Sequence, residues 1–423
     1  MINFTQKTLA NGIRYVEAPL QNTEAVTILV LVGTGGRYEK ADQLGISHFL
    51  EHLFFKGTKK RPSALKIATE LDALGANYNA FTSEESTGFY IQSAARDFEK
   101  AYDLITDLFL NPIFPAHDFE REKSVIIEEA NMRRDIPQLH VQVLSQKQVF
   151  GPHPLGEDLI GTPESVGKIS RVDINNYYKT HYRPANTILA ICGKKTADWE
   201  KLVNKTFAQE NAPAPTSPAF TQNQIKQKVV FEKRQVDQTH FVLSALTFPK
   251  TDKRRWALTL LSFILGGGMS SRLFSEIREK RALGYYVKSD LNSFADTGAL
   301  AVSAGVKKDR LNEAVEIVSQ EIGDLAQNGP QAEELARAKS AARGNLAISL
   351  ESSFEIAEYV CESLLYENQI RQSEEVIAQL NKVTASAIKV LAQEIFTSAK
   401  MGLAVIAPQV DVVGLTKIIN QRS

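Results

Sequence analysis

His48-Phe49-Leu50-Glu51-His52 is the stretch from which the rest of this 423-residue chain is best read. Apolar residues surround it, from Leu44 through Leu53, Phe54 and Phe55 to a stop at Gly57, so the segment is expected to be a helix. On a helix, residues four apart lie one turn apart on the same face. His48 and His52 can therefore offer two imidazole nitrogens to one ion. Glu51 precedes the second histidine and projects to the side of the pair, where a water held by such an ion would lie. The order is the reverse of His-Glu-x-x-His, the more common way of placing two histidines and a carboxylate on a metal-binding helix. Only seven histidines occur in the whole chain, which makes the pairing informative.

Outward from this motif the elements of the first half alternate. Gly12 to Ala18 and Ala25 to Val32 read as strands, and Ser63 to Leu74 as a helix closed by Gly75. Tyr78 to Thr82 and Thr87 to Ser93 read as strands, and Phe98 to Leu110 and Asp118 to Arg134 as helices. Ser165 to Thr180 is mostly helical, and Thr187 to Gly193 is a last strand. The Pro-rich run Ala212-Pro213-Ala214-Pro215-Thr216-Ser217-Pro218 suits neither a helix interior nor a central strand. It divides the chain into residues 1–211, a linker at 212–219, and residues 220–423.

The two halves resemble each other. Phe98, Ala101 and Leu104 match Leu311, Ala314 and Ile317, with the same spacing of three on one helix face. Each series follows a strand-like run, Thr87 to Ser93 and Ala299 to Val306. Each precedes a second charged helix, Asp118 to Arg134 and Ala332 to Leu350. The expected fold is α+β: two duplicated domains, each a mainly antiparallel sheet with helices packed on one face.

Composition excludes several classes of function. The net charge is zero, so no electrostatic footprint for nucleic acid or an anionic membrane is visible. No run of about 18 apolar residues exists to span a bilayer. The N-terminal Met1-Ile2-Asn3-Phe4-Thr5-Gln6-Lys7 has the character of neither a signal nor a transit peptide. Two cysteines, Cys192 and Cys361, lie far apart and suit small core positions in a reducing compartment. The expected location is cytoplasmic.

Two histidines leave a catalytic zinc one protein ligand short. The helix from Asp118 to Arg134 offers Glu120, Glu122, Glu128 and Glu129. Glu122 and Glu129 are seven apart, two turns on one face, so one can bind metal while the other supports it. In this arrangement the chain resembles the pitrilysin/insulinase family of inverzincin zinc peptidases, which includes insulin-degrading enzyme and the mitochondrial processing peptidase. That family pairs His-x-x-Glu-His with a Glu about eighty residues on, at the end of Glu-x6-Glu. Here His48 to Glu129 spans 81 positions, and Arg121-Glu122-Lys123-Ser124-Val125-Ile126-Ile127-Glu128-Glu129 matches the family's helix. The resemblance implies one Zn2+ per chain, held by His48, His52 and Glu129 with Glu122 behind them, and Glu128 as the competing acid. It also implies that zinc-activated water attacks a peptide carbonyl with Glu51 as general base. Gly75 to Thr82 is a plausible edge strand, and the resemblance makes it a substrate-binding strand centred on Asn79 and Ala80.

The second half has no such motif, and its one histidine is His240. Gly266-Gly267-Gly268 precedes a helix, but no Gly-Lys-Ser/Thr follows, so a phosphate cradle is not expected. Family members carry an Arg and a Tyr seven apart in this half. Arg278 and Tyr285 fit, between Ser271-Arg272-Leu273-Phe274 and Leu283-Gly284-Tyr285, with Tyr286 as the alternative phenol. The guanidinium can hold a substrate carbonyl and the phenol an oxyanion. His181-Tyr182-Arg183-Pro184-Ala185-Asn186 and Gly161-Thr162-Pro163-Glu164 also fit the family. The length resembles the short-chain branch, similar to subunits of the mitochondrial processing peptidase and to bacterial processing-type peptidases. That branch implies a zinc endopeptidase acting on short unstructured peptides in a chamber closed by dimerisation. A homodimer is expected, with a heterodimer containing a paralogous subunit as the variant. The competing class is a non-catalytic scaffold subunit.

Overall fold

The computed structural model describes residues 3–207, 213–222 and 224–420, so Met1, Ile2 and the linker's Ala212 lie outside the described residues. Residues 213–219 carry no regular secondary structure. The chain folds into two compact units, each built on one sheet.

The first sheet contains β1 (Thr5–Thr8), β2 (Arg14–Pro19), β3 (Ala25–Val32), β4 (Asn77–Thr82), β5 (Thr87–Ala94) and β6 (Thr187–Gly193), in the order β1-β2-β6-β3-β5-β4. Only β2 and β6 pair in parallel. The second sheet contains β7 (Val229–Lys233), β8 (Thr239–Thr247), β9 (Gly284–Ser293), β10 (Gly298–Val306) and β11 (Met401–Ala407), in the order β7-β11-β8-β10-β9. There β7 and β11 form the parallel pair and the rest are antiparallel. Leaving out β1, the two orders and strand senses are the same. The duplication seen in the helix patterns is therefore a duplication of topology. By it, β4 and β9 are corresponding edge strands.

The expected α+β class and duplication hold, and two details of the layering differ from expectation. Helices cover both faces of each sheet, and one of the two layers comes from the other half of the sequence. In the first unit, one face packs Ile28, Val30, Phe89 and Ile91 against Phe49, Leu53 and Phe98 of its own half. The opposite face, made by Val16, Leu29, Leu31, Ile188 and Ala190, is covered by Ile356, Val360, Cys361 and Leu364 of helix Ser353–Glu367. Thr27 and Gln92 hydrogen-bond Ser353 Oγ at 2.8 and 3.0 Å, and Arg14 donates to the Leu364 carbonyl at 2.7 Å. The second unit mirrors this. Helix Pro137–Phe150 places Val141 on Val242, Ala404 and Ile406, and Ser145 bonds Ser244 at 2.8 Å. The compact units are thus residues 1–131, 158–218 and 346–373, and residues 132–157, 219–345 and 374–423. They cut across the expected boundary at 212–219. The physical reason is that these strands are apolar on both faces. β3, β6 and β11 are buried along almost every residue, so a single helical layer would leave half of each strand in water.

Candidate metal centre

The helix that carries the motif is Ile46–Phe54. It enters through Gly45, at φ +90°, where a Cβ would stand 2.3 Å from the Ile160 carbonyl oxygen. Ile160 belongs to the turn that leads into Gly161-Thr162-Pro163. Ser165, in the helix that Thr162 caps, donates from its hydroxyl to the Leu44 carbonyl at 2.9 Å. That family-like turn is thus a backing for the start of the motif helix. Asn186, in the other family-like stretch, donates to the carbonyls of Gly33 and His181 and fixes the loop leaving β3.

Phe49 stacks on Phe119 with ring centroids 4.9 Å apart, which locks the motif helix against helix Ala116–Asp135. Phe119, Glu122, Ile126 and Ala130 are the buried positions of that helix, one continuous stripe. The stripe carries Glu122 and Glu129 to the two histidines. One oxygen of Glu129 lies 3.8 Å from His48 Nε2 and 3.6 Å from His52 Nε2. The ligand atoms of His48, His52 and Glu129 all fall within 4.8 Å of one another, the one such group among the described residues. Glu128 is exposed and outside it. Zinc bonds of about 2.0–2.1 Å in tetrahedral geometry put ligand atoms about 3.4 Å apart, so this group fits a zinc ion with little movement.

Glu122 is buried at 5% exposure, with the Arg121 guanidinium 3.7 Å from one of its oxygens. One oxygen meets Lys56 Nζ at 2.9 Å and the other meets His52 Nδ1 at 3.4 Å. A carboxylate at Nδ1 orients the ring and leaves Nε2 for the ion. Lys56, which the motif alone does not reveal, offsets the charge of the buried carboxylate.

Glu51 is half-buried beside this group. Its Oε2 accepts from the Thr82 hydroxyl at 2.5 Å. Burial pushes the Glu51 carboxyl above its usual range, and the Thr82 bond pulls the other way. Thr82 ends β4, the edge strand that also contains Asn79 and Ala80. On β4 the Ala80 N–H donates to the Asn79 side-chain oxygen at 2.9 Å. Carboxylate and edge strand are therefore one connected piece of structure.

Arg278 and Tyr285 lie in the second unit. Arg278 sits in a π-helix, Phe274–Lys280, and its guanidinium is held over two rings, 4.8 Å from the Phe274 centroid and 5.3 Å from that of Tyr285. Arg272 anchors the preceding turn through Glu334 at 2.7 Å and Asp324 at 2.6 Å, and Leu273 is fully buried. Tyr285 is 74% exposed. Tyr286 is half-buried, and its hydroxyl pairs with His240 Nδ1 at 3.0 Å. The alternation of β9 thus leaves Tyr285 as the phenol open to a ligand. The glycine run before this helix has a packing role. A Cβ on Gly266 would meet the Ser289 amide at 2.7 Å, and one on Gly267 the Phe263 backbone at 2.6 Å.

Comparison with known proteins shows the family. Residues 15–163 match the family model described as insulinase (peptidase family M16), and residues 168–342 match that described as the peptidase M16 inactive domain. A Mycobacterium leprae protein named as an uncharacterized zinc protease is 35% identical over 95% of this chain and 91% of its own length. The uncharacterized zinc protease YmxG of Bacillus subtilis is 31% identical over 95% and 97%. Among solved structures, a protease from Helicobacter pylori superposes with a TM-score of 0.88 at 25% identity, covering 96% of this chain and all of that one. A Pseudomonas fluorescens structure described as a peptidase M16 inactive domain superposes at 0.90 with 20% identity, covering 97% and 99%, and speaks for the fold alone. With family models on both halves, and relatives above 30% identity that it matches almost end to end, this chain belongs to the insulinase family of zinc peptidases, M16.

Proposed function

We propose that this protein is a zinc-dependent endopeptidase that hydrolyses short, unstructured peptides within a closed chamber. The observation that carries the reading is the convergence of His48, His52 and Glu129 within 4.8 Å, with Glu51 beside them and tied to the edge strand. Bound zinc supplies a Lewis acid that acidifies water and polarises a carbonyl. With Oε2 engaged by Thr82, Glu51 Oε1 is the atom that accepts the water proton as the carbonyl carbon is attacked. It returns that proton to the amide nitrogen as the C–N bond breaks. A carboxyl raised by burial serves both directions of this transfer better than a fully solvated one. Asn79 and Ala80 hold the substrate as an added strand on β4, which requires an extended chain and so selects unstructured peptides. The experiment is mass-spectrometric mapping of cleavage in a random peptide pool. Cleavage that a chelator abolishes and one equivalent of zinc restores is the expected result. Zinc bound with no peptide cut is the outcome that favours a scaffold subunit instead.

We further infer that the active species is a homodimer in which Arg278 and Tyr285 of one chain serve the metal group of its partner. Both residue sets are present in one chain, so one gene product suffices. Mixing Glu51→Gln chains with Arg278→Ala chains is expected to recover part of the wild-type cleavage. Activity no higher than in either pure variant, with mixed dimers verified by native mass, removes the shared site. A wild-type homodimer that becomes active only with a paralogous chain points to the heterodimer.

A further inference from the structure

Glu39 is a buried carboxylate that the proposed chemistry does not use. It is 6% exposed, and no basic side chain of the described residues is among the groups that act on it. Its two oxygens each accept one backbone N–H at the start of the motif helix: Oε2 from Gly45 at 2.7 Å and Oε1 from Ser47 at 2.8 Å. Helix N-termini leave such N–H groups without internal partners, and a side chain at the capping position normally accepts them. Here that position is Gly45, which has no side chain and cannot take one against the Ile160 carbonyl. The cap is therefore delivered from six residues upstream. His48 follows Ser47 directly, in the same first turn.

We propose that Glu39 is a positioning residue, clamping the first turn of helix Ile46–Phe54 and thereby setting His48 against His52 and Glu129. This rests on the metal-binding reading of that group. An anion at this end of a helix is favoured by the aligned peptide dipoles. The grip reaches further through hydroxyls. Ser47 Oγ bonds Tyr177 OH at 2.9 Å, and Tyr177 OH bonds Thr34 Oγ1 at 3.0 Å, which also meets His181 Nδ1 at 3.0 Å. The first turn is thus held from helix Arg171–His181 and from the loop after β3 together.

The clamp is sensitive to pH. Burial pushes the Glu39 carboxyl up to about 7 despite its two N–H donors and the nearby Ser47 hydroxyl. Above that value both oxygens are acceptors. As pH falls through it, a proton occupies one of them and one backbone N–H loses its partner. The two titratable side chains joined to the clamp through hydroxyls stay neutral in this range. The Tyr177 phenol, which faces Glu39, is pushed up by burial, and His181 beyond it is held down to about 4. Lys40, next in the chain, is exposed to solvent.

The test is zinc affinity by competition with a chromophoric chelator, on the full chain, at pH 8 and pH 6. Glu39→Gln is expected to bind zinc about 10- to 100-fold more weakly than wild type at pH 8, the usual loss for a residue that supports a ligand from behind. The ratio is expected to shrink towards one at pH 6, where wild-type Glu39 is itself protonated. A folded Glu39→Gln that binds as tightly as wild type at pH 8, or a ratio undiminished at pH 6, overturns the proposal. If Glu39→Gln does not fold, Glu39→Asp keeps the charge on a shorter arm. It is expected to bind more weakly at pH 8, and unchanged affinity overturns the proposal. Wild type failing to bind zinc refutes the metal reading as a whole, whereas equal binding by wild type and variants removes Glu39 alone.

Discussion

Glu51→Gln is expected to keep the fold and one zinc per chain while losing peptidase turnover by a factor of about 10²–10⁴, the usual contribution of a positioned acid–base group. The substitution is isosteric, and its amide oxygen can still accept from Thr82, so the β4 contact survives. The other terminal atom becomes an NH2, which cannot take a proton from water. The ligand atoms of His48, His52 and Glu129 are untouched. Turnover on a quenched fluorescent peptide, with zinc measured by elemental analysis on the same sample, checks both halves of the expectation. Loss of zinc along with activity assigns Glu51 to metal binding. Turnover within tenfold of wild type removes it as the base.

How much of this was legible in the sequence depended on the range of the interaction. The motif helix was legible because a 3.6-residue period puts His48 and His52 on one face without outside help. The same period singled out Glu122 and Glu129, but it could not separate Glu129 from Glu128. The resemblance chose Glu129, and Phe119 seated on Phe49 fixes the rotation of one helix against the other. The duplication was legible in matched apolar spacings, because both copies bury the same face against the same strands. The resemblance preferred Tyr285 with Tyr286 as the alternative, and strand alternation sets Tyr286 against His240 and leaves Tyr285 exposed. Lys56, Thr82 and Glu39 left no local signal. Each acts through one polar contact to a residue outside its own periodic pattern, and such contacts follow from the fold. The covering helices Pro137–Phe150 and Ser353–Glu367 escaped for a related reason. An amphipathic pattern says that a helix has an apolar face, not which sheet that face will cover.

Val360→Asp is therefore expected to destroy the metal centre from a position more than 200 residues away in sequence. Val360 is fully buried, in the layer formed by Leu29, Leu31, Ile188 and Ala190 of the first sheet. A carboxylate buried among these apolar side chains faces a desolvation cost of several kcal/mol, comparable to the whole stability of a domain. Leu364→Ala, in the same helix, is the graded version. It removes only apolar contact and should cost about 2–5 kcal/mol. Because β3 lies between the two layers, loss of helix Ser353–Glu367 also removes support from Val30 and Ile28, against which the motif helix packs. Denaturant unfolding and zinc content are expected to fall together in this series, with Leu364→Ala between wild type and Val360→Asp. If the helix were an accessory cover, zinc content would stay at one per chain while stability fell. The mirror substitution, Val141→Asp in helix Pro137–Phe150, strikes Val242, Ala404 and Ile406 of the second sheet instead. Comparing the two variants tells whether the halves of this duplicated chain unfold as separate units or as one, because each half of the sequence supplies a wall that the other's sheet requires.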